Sequence, residues 1–215
     1  MTTSVSDSSS TYSTAASAID AAVDSAFEPL RGKPAVDRAA AVVSNLADYG
    51  LVWVLLAAFK ARRRGPDRRR AVVGLGAAGL SSLVVSRVVK AAVERQRPDD
   101  HLDAAVRAPS TSSFPSGHTL AAFCTAFVLS ESDAQTAANV AFASAVAASR
   151  VHLRAHHPTD VVGGAAIGSV LGLGLKPIVD LVTPGTRRGR RRGRRRERPA
   201  RSTGMGRRDV VLEPL

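Results

Sequence analysis

A polar segment, SRVHLRAHHPTD at residues 149–160, separates two long runs of small apolar residues. Ionisable groups at such a boundary are costly to bury in apolar surroundings and usually serve a function. His156 and Asp160 are four residues apart, so a helical first turn would put them on one face. The carboxylate can then hold one imidazole nitrogen and leave the other free to attack. We take His156 as a candidate nucleophile, Asp160 as the group that orients it, and Arg150 as a ligand for the anion that it attacks.

The composition around this segment indicates a membrane protein. Hydrophobic residues make up 45% of the 215-residue chain but aromatic residues only 4%, so the apolar mass is Ala, Val, Leu and Gly in runs. Such runs are typical of helices packed in lipid. The single cysteine, Cys124, excludes an intrachain disulfide and a cysteine-based metal cluster. The expected fold class is all-α, a polytopic membrane bundle of about five helices.

Five apolar stretches are candidate membrane spans: 39–59, 71–93, 118–129, 134–151 and 161–182. A 30 Å hydrocarbon layer needs about 20 helical residues, so 118–129 requires the help of a neighbour to span. The last stretch has Gly164, Gly168 and Gly172 at four-residue intervals, which allows close backbone approach to another helix. A sixth helix is possible if residues 15–30 add one.

Three regions follow from these patterns. Residues 1–34 form an N-terminal segment in which 1–14 are Ser- and Thr-rich and predicted to be disordered, whereas 15–30 form an amphipathic surface helix. Residues 35–184 form the membrane-embedded domain. Residues 185–215 form an Arg-rich tail. Residues 1–14 lack the basic and apolar regions of a secretory signal.

The net charge of +12 is concentrated in two places. Seven basic residues lie in 60–70 and twelve arginines in 187–208, which together are 19 of the 30 Lys and Arg. Short basic loops stay in the cytoplasm, so we expect a multi-pass plasma-membrane protein with loop 60–70 and the tail on the cytoplasmic side. Four spans separate loop from tail, which puts 94–117 and 152–160 on the extracytoplasmic side. The tail would bind anionic lipid. It lacks the interleaved aromatic residues that single-strand nucleic-acid binders use.

This topology brings further polar residues to the same face as residues 149–160. Phosphoryl transfer needs fixed positive charges around three equatorial oxygens, a nucleophile, and an acid for the leaving oxygen. Lys90 and Arg97 supply positive charge. Ser116 and Gly117 stand at a helix start, where backbone N–H groups favour an anion. His118 is suited to general acid catalysis because imidazole titrates near neutral pH.

Taken together, these residues resemble a known signature. Lys90 with Arg97-Pro98, PSGH at 115–118, and Ser149-Arg150 with His156 and Asp160 resemble the three-part signature of the type 2 phosphatidic acid phosphatase superfamily. The resemblance implies an all-helical membrane fold, commonly of six helices, and a phosphatase that needs no metal ion or other cofactor. It implies that His156 forms a phosphohistidine, that Asp160 orients and activates it, and that His118 protonates the leaving group and later activates water. The implied phosphate ligands are Lys90, Arg97, Ser116, Gly117 and Arg150.

Other polar residues lie outside the signature. We expect His152 and His157 to be structural or pocket-lining. Arg87, one turn before Lys90, is expected to snorkel or to pair helices. The loop before PSGH is a candidate for contact with the substrate head group, through Asp99, Asp100, His101 and Arg107.

The resemblance implies a lipid phosphate or pyrophosphate substrate on the extracytoplasmic leaflet. The Ala-, Arg- and Gly-rich composition is of the kind found in high-GC actinobacteria, where similar family members act on polyprenyl phosphates. A prenylphosphoryl-pentose 5-phosphate of cell-wall arabinan synthesis, undecaprenyl pyrophosphate and phosphatidic acid are the candidates. Vanadium-dependent haloperoxidases share the pocket but are soluble. A phosphotransferase with the same covalent intermediate is an open alternative, and a non-catalytic membrane scaffold with a basic tail is another.

Overall fold

A computed structural model describes residues 5–47, 50–62, 66–98 and 112–184. Within these ranges the chain is all-helical, as predicted, with seven α-helices, no strand, and a short 3-10 turn at Glu28–Leu30. The helices are α1 (Val5–Phe27), α2 (Pro34–Ala47), α3 (Leu51–Ala61), α4 (Pro66–Ala92), α5 (Gly117–Leu129), α6 (Asp133–His152) and α7 (Pro158–Val182). These helices belong to one compact unit. The tail lies outside the described residues.

Among the described residues, two helices are long and apolar enough to cross a membrane on their own. They are Asp67–Ala92, with 26 residues, and Pro158–Val182, with 25 residues. Both exceed the 20 or so residues that a bilayer requires. Helix α5 is apolar but shorter, as predicted, and depends on its neighbours. It packs against α4, α6 and α7, and the side chains of Leu120, Val128 and Leu129 are fully buried.

The N-terminal third departs from the sequence prediction in two ways. The stretch predicted as one span at 39–59 is broken into α2 and α3, which are bent by 59° and count as a third span only if the bent pair crosses as one. Gly50 sits at the break with a φ of 67°, a left-handed conformation that glycine adopts at little cost and that a continuous helix does not contain. In addition, α1 begins at Val5, so the disorder predicted for 1–14 is wrong from residue 5 onward.

Gly164, Gly168 and Gly172 of α7 serve the packing role that their spacing predicted. A Cβ atom at Gly164 would stand 2.7 Å from the carbonyl oxygen of Ser116, and one at Gly172 would stand 2.6 Å from that of Cys124. At Gly168 a Cβ would overlap the carbonyl of Leu120. Helix α7 therefore lies directly against the backbone of α5, and this contact fixes the start of α7 beside the start of α5.

Charged side chains form ion pairs at the end of the bundle that contains the start of α4 and the end of α7. Arg70, on the first turns of α4, is 2% exposed and donates through Nε to Asp180 Oδ1 at 2.8 Å. Lys60 of α3 donates to Glu131 Oε1 at 3.0 Å. A rise of 1.5 Å per residue separates Arg70 from Lys90 by about 30 Å along α4. Lys60, Arg70 and the end of α7 therefore lie at one end of the bundle, and Lys90 and the start of α7 lie at the other.

Candidate active site

Asp160 is fixed by the first turn of α7. The helix begins at Pro158, whose missing N–H is no loss at that position, and His157 caps it. The backbone N–H of His157 donates to Asp160 Oδ2 at 2.9 Å. The main-chain carbonyl of Asp160 accepts from the N–H of Ser116 at 3.0 Å. One residue thus joins the starts of α5 and α7, and its side chain is fully buried.

The imidazole of His156 lies between a carboxylate and a guanidinium. Its Nδ1 is 3.7 Å from Asp160 Oδ2, and its Nε2 is 3.3 Å from Arg97 Nη1. The residue is 3% exposed, and its own backbone N–H donates to the carbonyl of Arg150. The ring is therefore oriented with one nitrogen toward Asp160 and the other toward a cation.

Burial decides the protonation state of His156. Burial, together with the nearby cations Arg97 and Arg150, lowers the pKa of His156 from 6.5 to about 4, against the opposing effect of Asp160. A neutral imidazole has a lone pair, which a nucleophile needs. The site therefore keeps His156 in its reactive form at neutral pH.

Arg97 is a half-buried cation with donor capacity left over. Its Nη1 donates to the carbonyl of Ala155 at 2.9 Å and faces the ring of His156. Its Nε is buried and has no hydrogen-bond partner among the described residues. Burial lowers the pKa of Arg97, with Asp160 acting in the opposite direction. A desolvated guanidinium of this kind is stabilised by an anion placed against it.

Two more cations face the same space. Lys90, on the last turn of α4, is half-buried and lies within electrostatic reach of Arg97, Arg150 and Asp160. Arg150, on the last turn of α6, is 3% exposed and donates through Nη1 to Ser44 Oγ of α2. Positive charge from three separate segments therefore converges beside one imidazole. This convergence favours an oxyanion with several negative oxygens.

The start of α5 differs in one detail from the sequence prediction. The N–H of Ser116 is taken by the carbonyl of Asp160, so it is not a free donor for an anion. Its hydroxyl is buried and accepts from Thr119 Oγ1 at 3.1 Å. Gly117 opens the helix, where N–H groups point out of the first turn. His118 follows it and is half-buried.

The predicted site residues are therefore at one end of the bundle. His156, Asp160, Arg97 and Arg150 are joined by direct contacts or short electrostatic distances, and Lys90 is within their reach. Ser116, Gly117 and His118 are attached to them through the Asp160 carbonyl.

Four residues of the site were missed by the sequence prediction. Arg95 Nη1 donates to Asp160 Oδ1 at 2.6 Å, and Ser113 Oγ donates to Asp160 Oδ2. Asp20 of α1 pairs with Arg95, and Ser44 of α2 with Arg150. Arg95 lies between Lys90 and Arg97, so its closeness to the signature was the only signal available. Asp20 and Ser44 are distant in sequence and gave none.

The polar residues outside the signature have packing roles. His152 contacts Asp37 Oδ1 through Nε2 at 2.8 Å and packs against the ring of Phe27. Arg154 pairs with Glu28 at 2.9 Å. Arg87 is exposed on α4. The loop residues considered for head-group contact lie outside the described residues: Asp99, Asp100, His101 and Arg107.

Comparison with known sequences supports one family. The model of the PAP2 superfamily matches residues 71–183, which run from the second turn of α4 to the end of α7 and include all the site residues predicted from the sequence. A decaprenylphosphoryl-5-phosphoribose phosphatase of Mycolicibacterium smegmatis is 34% identical over 147 residues, which cover 67% of this chain and 80% of that relative. A protein of the same name from Mycobacterium tuberculosis is 32% identical over 172 residues, covering 80% of this chain and 92% of the relative.

Solved structures agree with the sequence comparison. A transmembrane PAP2-type phosphatidylglycerolphosphate phosphatase from Bacillus subtilis superposes with a TM-score of 0.64 at 25% identity, over 78% of this chain and 88% of that one. LpxE of Aquifex aeolicus superposes with a TM-score of 0.57 at 28% identity, over 70% and 90%. The chain therefore belongs to the PAP2 superfamily and is a membrane phosphatase of that family.

Proposed function

We propose that this phosphatase removes the terminal phosphate of a lipid phosphate through a phosphohistidine at His156. The observation that carries the proposal is the position of the His156 ring. Its Nε2 faces Arg97 at 3.3 Å and its Nδ1 faces the Asp160 carboxylate at 3.7 Å. One nitrogen faces the carboxylate and the other faces the space where cations would bind a phosphate.

The reaction has two steps that balance. His156 Nε2 attacks phosphorus, the bond from phosphorus to the lipid oxygen breaks, and His118 gives that oxygen a proton. His118 then takes a proton from water, the water oxygen attacks phosphorus, and the bond between phosphorus and Nε2 breaks to release inorganic phosphate. Asp160 stabilises the imidazole while it carries the phosphoryl group.

The phosphate would be held by fixed donors from several segments. Arg97 and Arg150 can each grip two oxygens, while Lys90 adds a compact charge. The N–H of Gly117 and the hydroxyl of Ser116 complete the set at the start of α5. These groups stabilise the transition state if they fit its equatorial oxygens better than they fit the ground state.

For the substrate we favour a prenylphosphoryl-pentose 5-phosphate. The mycobacterial relatives are named as phosphatases of decaprenylphosphoryl-5-phosphoribose, and the match to the Mycobacterium tuberculosis protein covers 92% of its length. A site at the end of apolar helices suits a substrate whose tail stays in the bilayer. The test is phosphate release from a panel containing this lipid, undecaprenyl pyrophosphate, phosphatidic acid and phosphatidylglycerol phosphate. A preference for either of the last two would contradict this choice of substrate.

The sidedness of the site is also part of the proposal. We infer that the site faces the extracytoplasmic side, because the basic loop 60–70 and the end of α7 lie together at the opposite end of the bundle. The sole cysteine, Cys124, is buried, so reporter cysteines can be read in a Cys124→Ala background. An impermeant thiol reagent applied to intact cells should label Asp99→Cys and leave Ser202→Cys unlabelled. The reverse pattern would overturn the assignment.

The role of His156 is tested by paired substitutions. His156→Ala should remove phosphate release while the protein still folds in detergent, because no other group replaces the nucleophile. His157→Asn is the matched control. It changes the neighbouring histidine but keeps a residue suited to the start of α7, and it should retain activity. Turnover by His156→Ala would refute the proposed mechanism.

A further inference from the structure

The Asp160 carboxylate is held by more than His156. Its Oδ1 accepts from Arg95 Nη1 at 2.6 Å, and its Oδ2 accepts from Ser113 Oγ and from the N–H of His157 at 2.9 Å. Three donors from separate segments therefore fix the plane of this carboxylate. Of the three, only Arg95 brings a full charge.

Arg95 is itself held by the N-terminal helix. Its Nη2 donates to Asp20 Oδ2, and its Nη1 also donates to Thr159 Oγ1 at 2.7 Å. The backbone N–H of Thr159 donates to Asp20 Oδ1 at 2.8 Å. Asp20, Arg95 and Thr159 thus form a closed ring of hydrogen bonds that joins α1 to the first turn of α7, and Asp160 is attached to this ring through Arg95.

Asp20 is buried, and hydrogen bonds within this ring compensate for its burial. Asp20 is 6% exposed, although its neighbour Ile19 on the same helix is 53% exposed. A buried carboxylate is expensive unless it is paired and hydrogen-bonded, and Asp20 accepts from Arg95 and from both polar groups of Thr159. Helix α1 therefore buries the carboxylate of Asp20 beside Arg95, the residue whose guanidinium pairs with Asp160.

The hydrogen-bond partners of the Arg95 guanidinium differ from those of Arg97, which lies two residues later. Among the described residues, the guanidinium of Arg95 donates to side-chain oxygens of Asp20, Thr159 and Asp160. Arg97 contacts the His156 ring and keeps a buried, unpartnered Nε. Arg97 is thus placed to bind phosphate, and Arg95 is placed to hold the carboxylate behind the nucleophile.

We propose that Arg95, anchored by Asp20 of α1, is a positioning residue that sets the orientation and the charge of Asp160. The proposal rests on the proposed function, because it gives Asp160 the role of orienting His156. Arg95 partly neutralises Asp160, so less negative charge acts on the imidazole, and Asp20 in turn partly neutralises Arg95. The N-terminal helix thereby becomes part of the catalytic assembly.

The charges around His156 and Asp160 predict the direction in which each substitution shifts the pH dependence of activity. His156 is faced by Asp160 from α7, by Arg150 from α6 and by Arg97 from the loop after α4. Lys90 from α4 also acts on Asp160, and Arg95 and Asp20 complete the group. Loss of the Arg95 charge leaves Asp160 more negative, which favours imidazolium and moves the acid limb of kcat to higher pH. Loss of the Asp20 charge leaves Arg95 more positive and moves that limb to lower pH.

The experiment uses the full chain in detergent micelles with dioctanoyl phosphatidic acid and farnesyl phosphate as probes. We expect Arg95→Gln to lower kcat by about 10- to 100-fold with KM within about twofold, because misplacement of a positioned group costs rate rather than binding. Its acid limb should move up by about one pH unit. Arg95→Lys keeps the charge and should return the limb toward its original position without restoring full kcat.

Asp20→Asn is isosteric and tests the positioning role of Arg95 even if Arg95→Gln folds poorly. It should lower kcat, shift the acid limb downward, and add little further loss in the Arg95→Gln background because both changes break one ring. Glu28→Gln is the matched control. It removes an acid of the same N-terminal segment that pairs with Arg154 instead of Arg95, so it should leave kcat and the acid limb unchanged.

The outcomes separate this inference from the proposed function. If Asp20→Asn and Arg95→Gln leave the acid limb in place and change activity only as much as Glu28→Gln, Arg95 does not position Asp160 and the inference is overturned. Opposite shifts of the limb support it. Failure of the proposed function would be visible earlier, as turnover by His156→Ala or as absence of phosphate release by the unaltered protein.

Discussion

Nε2 of His156 lies 3.3 Å from Nη1 of Arg97, on the side of the ring opposite the Asp160 carboxylate. Two groups that would repel each other if the imidazole were protonated are thus held in contact. The contact is tolerable because the buried ring is neutral. A phosphate group that enters here would place its oxygens against the guanidinium and its phosphorus in front of the lone pair of Nε2.

The first prediction concerns Arg97. Arg97→Lys should raise KM at least tenfold on a lipid phosphate and also lower kcat, because an ammonium cannot reproduce the forked contact with two oxygens. The measurement is steady-state phosphate release over a substrate series. Arg154→Lys is the control, since Arg154 pairs with the exposed Glu28 and has no place in the site. Equal KM values for Arg97→Lys and the unaltered protein would remove Arg97 from the phosphate site.

The second prediction concerns acid pH. Because the pKa of His156 in the substrate-free protein is lowered to about 4, chiefly by burial, kcat/KM should hold as the pH falls through 6.5, the ordinary value, and its acid limb should lie below that value. Phosphate release measured in buffers from acid to neutral pH checks this. A limb at the ordinary histidine value would mean that His156 is not the titrating nucleophile.

The same shift has a consequence for stability. The unfolded chain binds a proton at His156 near pH 6.5, whereas the folded chain resists it until about pH 4. The contribution of His156 to stability is therefore present above 6.5 and is lost as the pH falls toward 4. His156→Gln should flatten this part of the pH dependence of Tm, measured in detergent. An unchanged slope would contradict the buried, neutral state of His156.

The third prediction concerns the contact between α5 and α7. Gly168→Ala should destabilise the protein by about 1–3 kcal/mol, because its Cβ would overlap the backbone of Leu120 and the helices would have to separate. Gly174→Ala on the same helix has open space around it and should be neutral or slightly stabilising. Thermal melting of both variants measures the difference. Equal Tm values would show that the glycines do not set the helix spacing.

The fourth prediction concerns metal removal and the tail. Turnover should survive EDTA, because cationic side chains from three segments supply the charge that a metal would otherwise supply. Deletion of residues 186–215 should leave turnover on a detergent-dispersed substrate largely intact. A strict metal requirement would refute the first expectation, and complete loss of activity on deletion would make the tail part of the site.

Much of the fold could be predicted because the apolar runs of a membrane helix are nearly continuous. The predicted apolar stretches at 71–93, 134–151 and 161–182 coincide with the helices α4, α6 and α7 within a few residues at most ends. Of these three helices, only α4 and α7 are long and apolar enough to cross a membrane on their own. The break at Gly50 could not be predicted, since a single glycine in an apolar run is as compatible with a straight helix as with a bend. It became visible only in the left-handed backbone of that residue.

The site was predictable where its residues carry a motif and not where tertiary contact defines them. His156, Asp160 and Arg97 stand at motif positions. The local sequence pattern places Asp20 on a polar face of a surface helix. It does not reveal the partner Arg95, which lies 75 residues away in sequence. In the sequence, Arg70 is one of the charges of the basic loop 60–70. In the structure it is buried and paired with Asp180, and no local pattern indicates this contact. Long-range pairing of charges is decided by packing, and the sequence alone does not display it.

The most direct test of the central claim is to trap the covalent intermediate. The full chain in detergent is mixed with a lipid phosphate labelled on its terminal phosphate and quenched in alkali within milliseconds, and the labelled residue is identified by mass spectrometry. We predict acid-labile phosphate on His156, in an amount equal to a large fraction of the enzyme, and none in His156→Gln. Phosphate release at full rate without any label on His156, or label on another residue, would contradict the account.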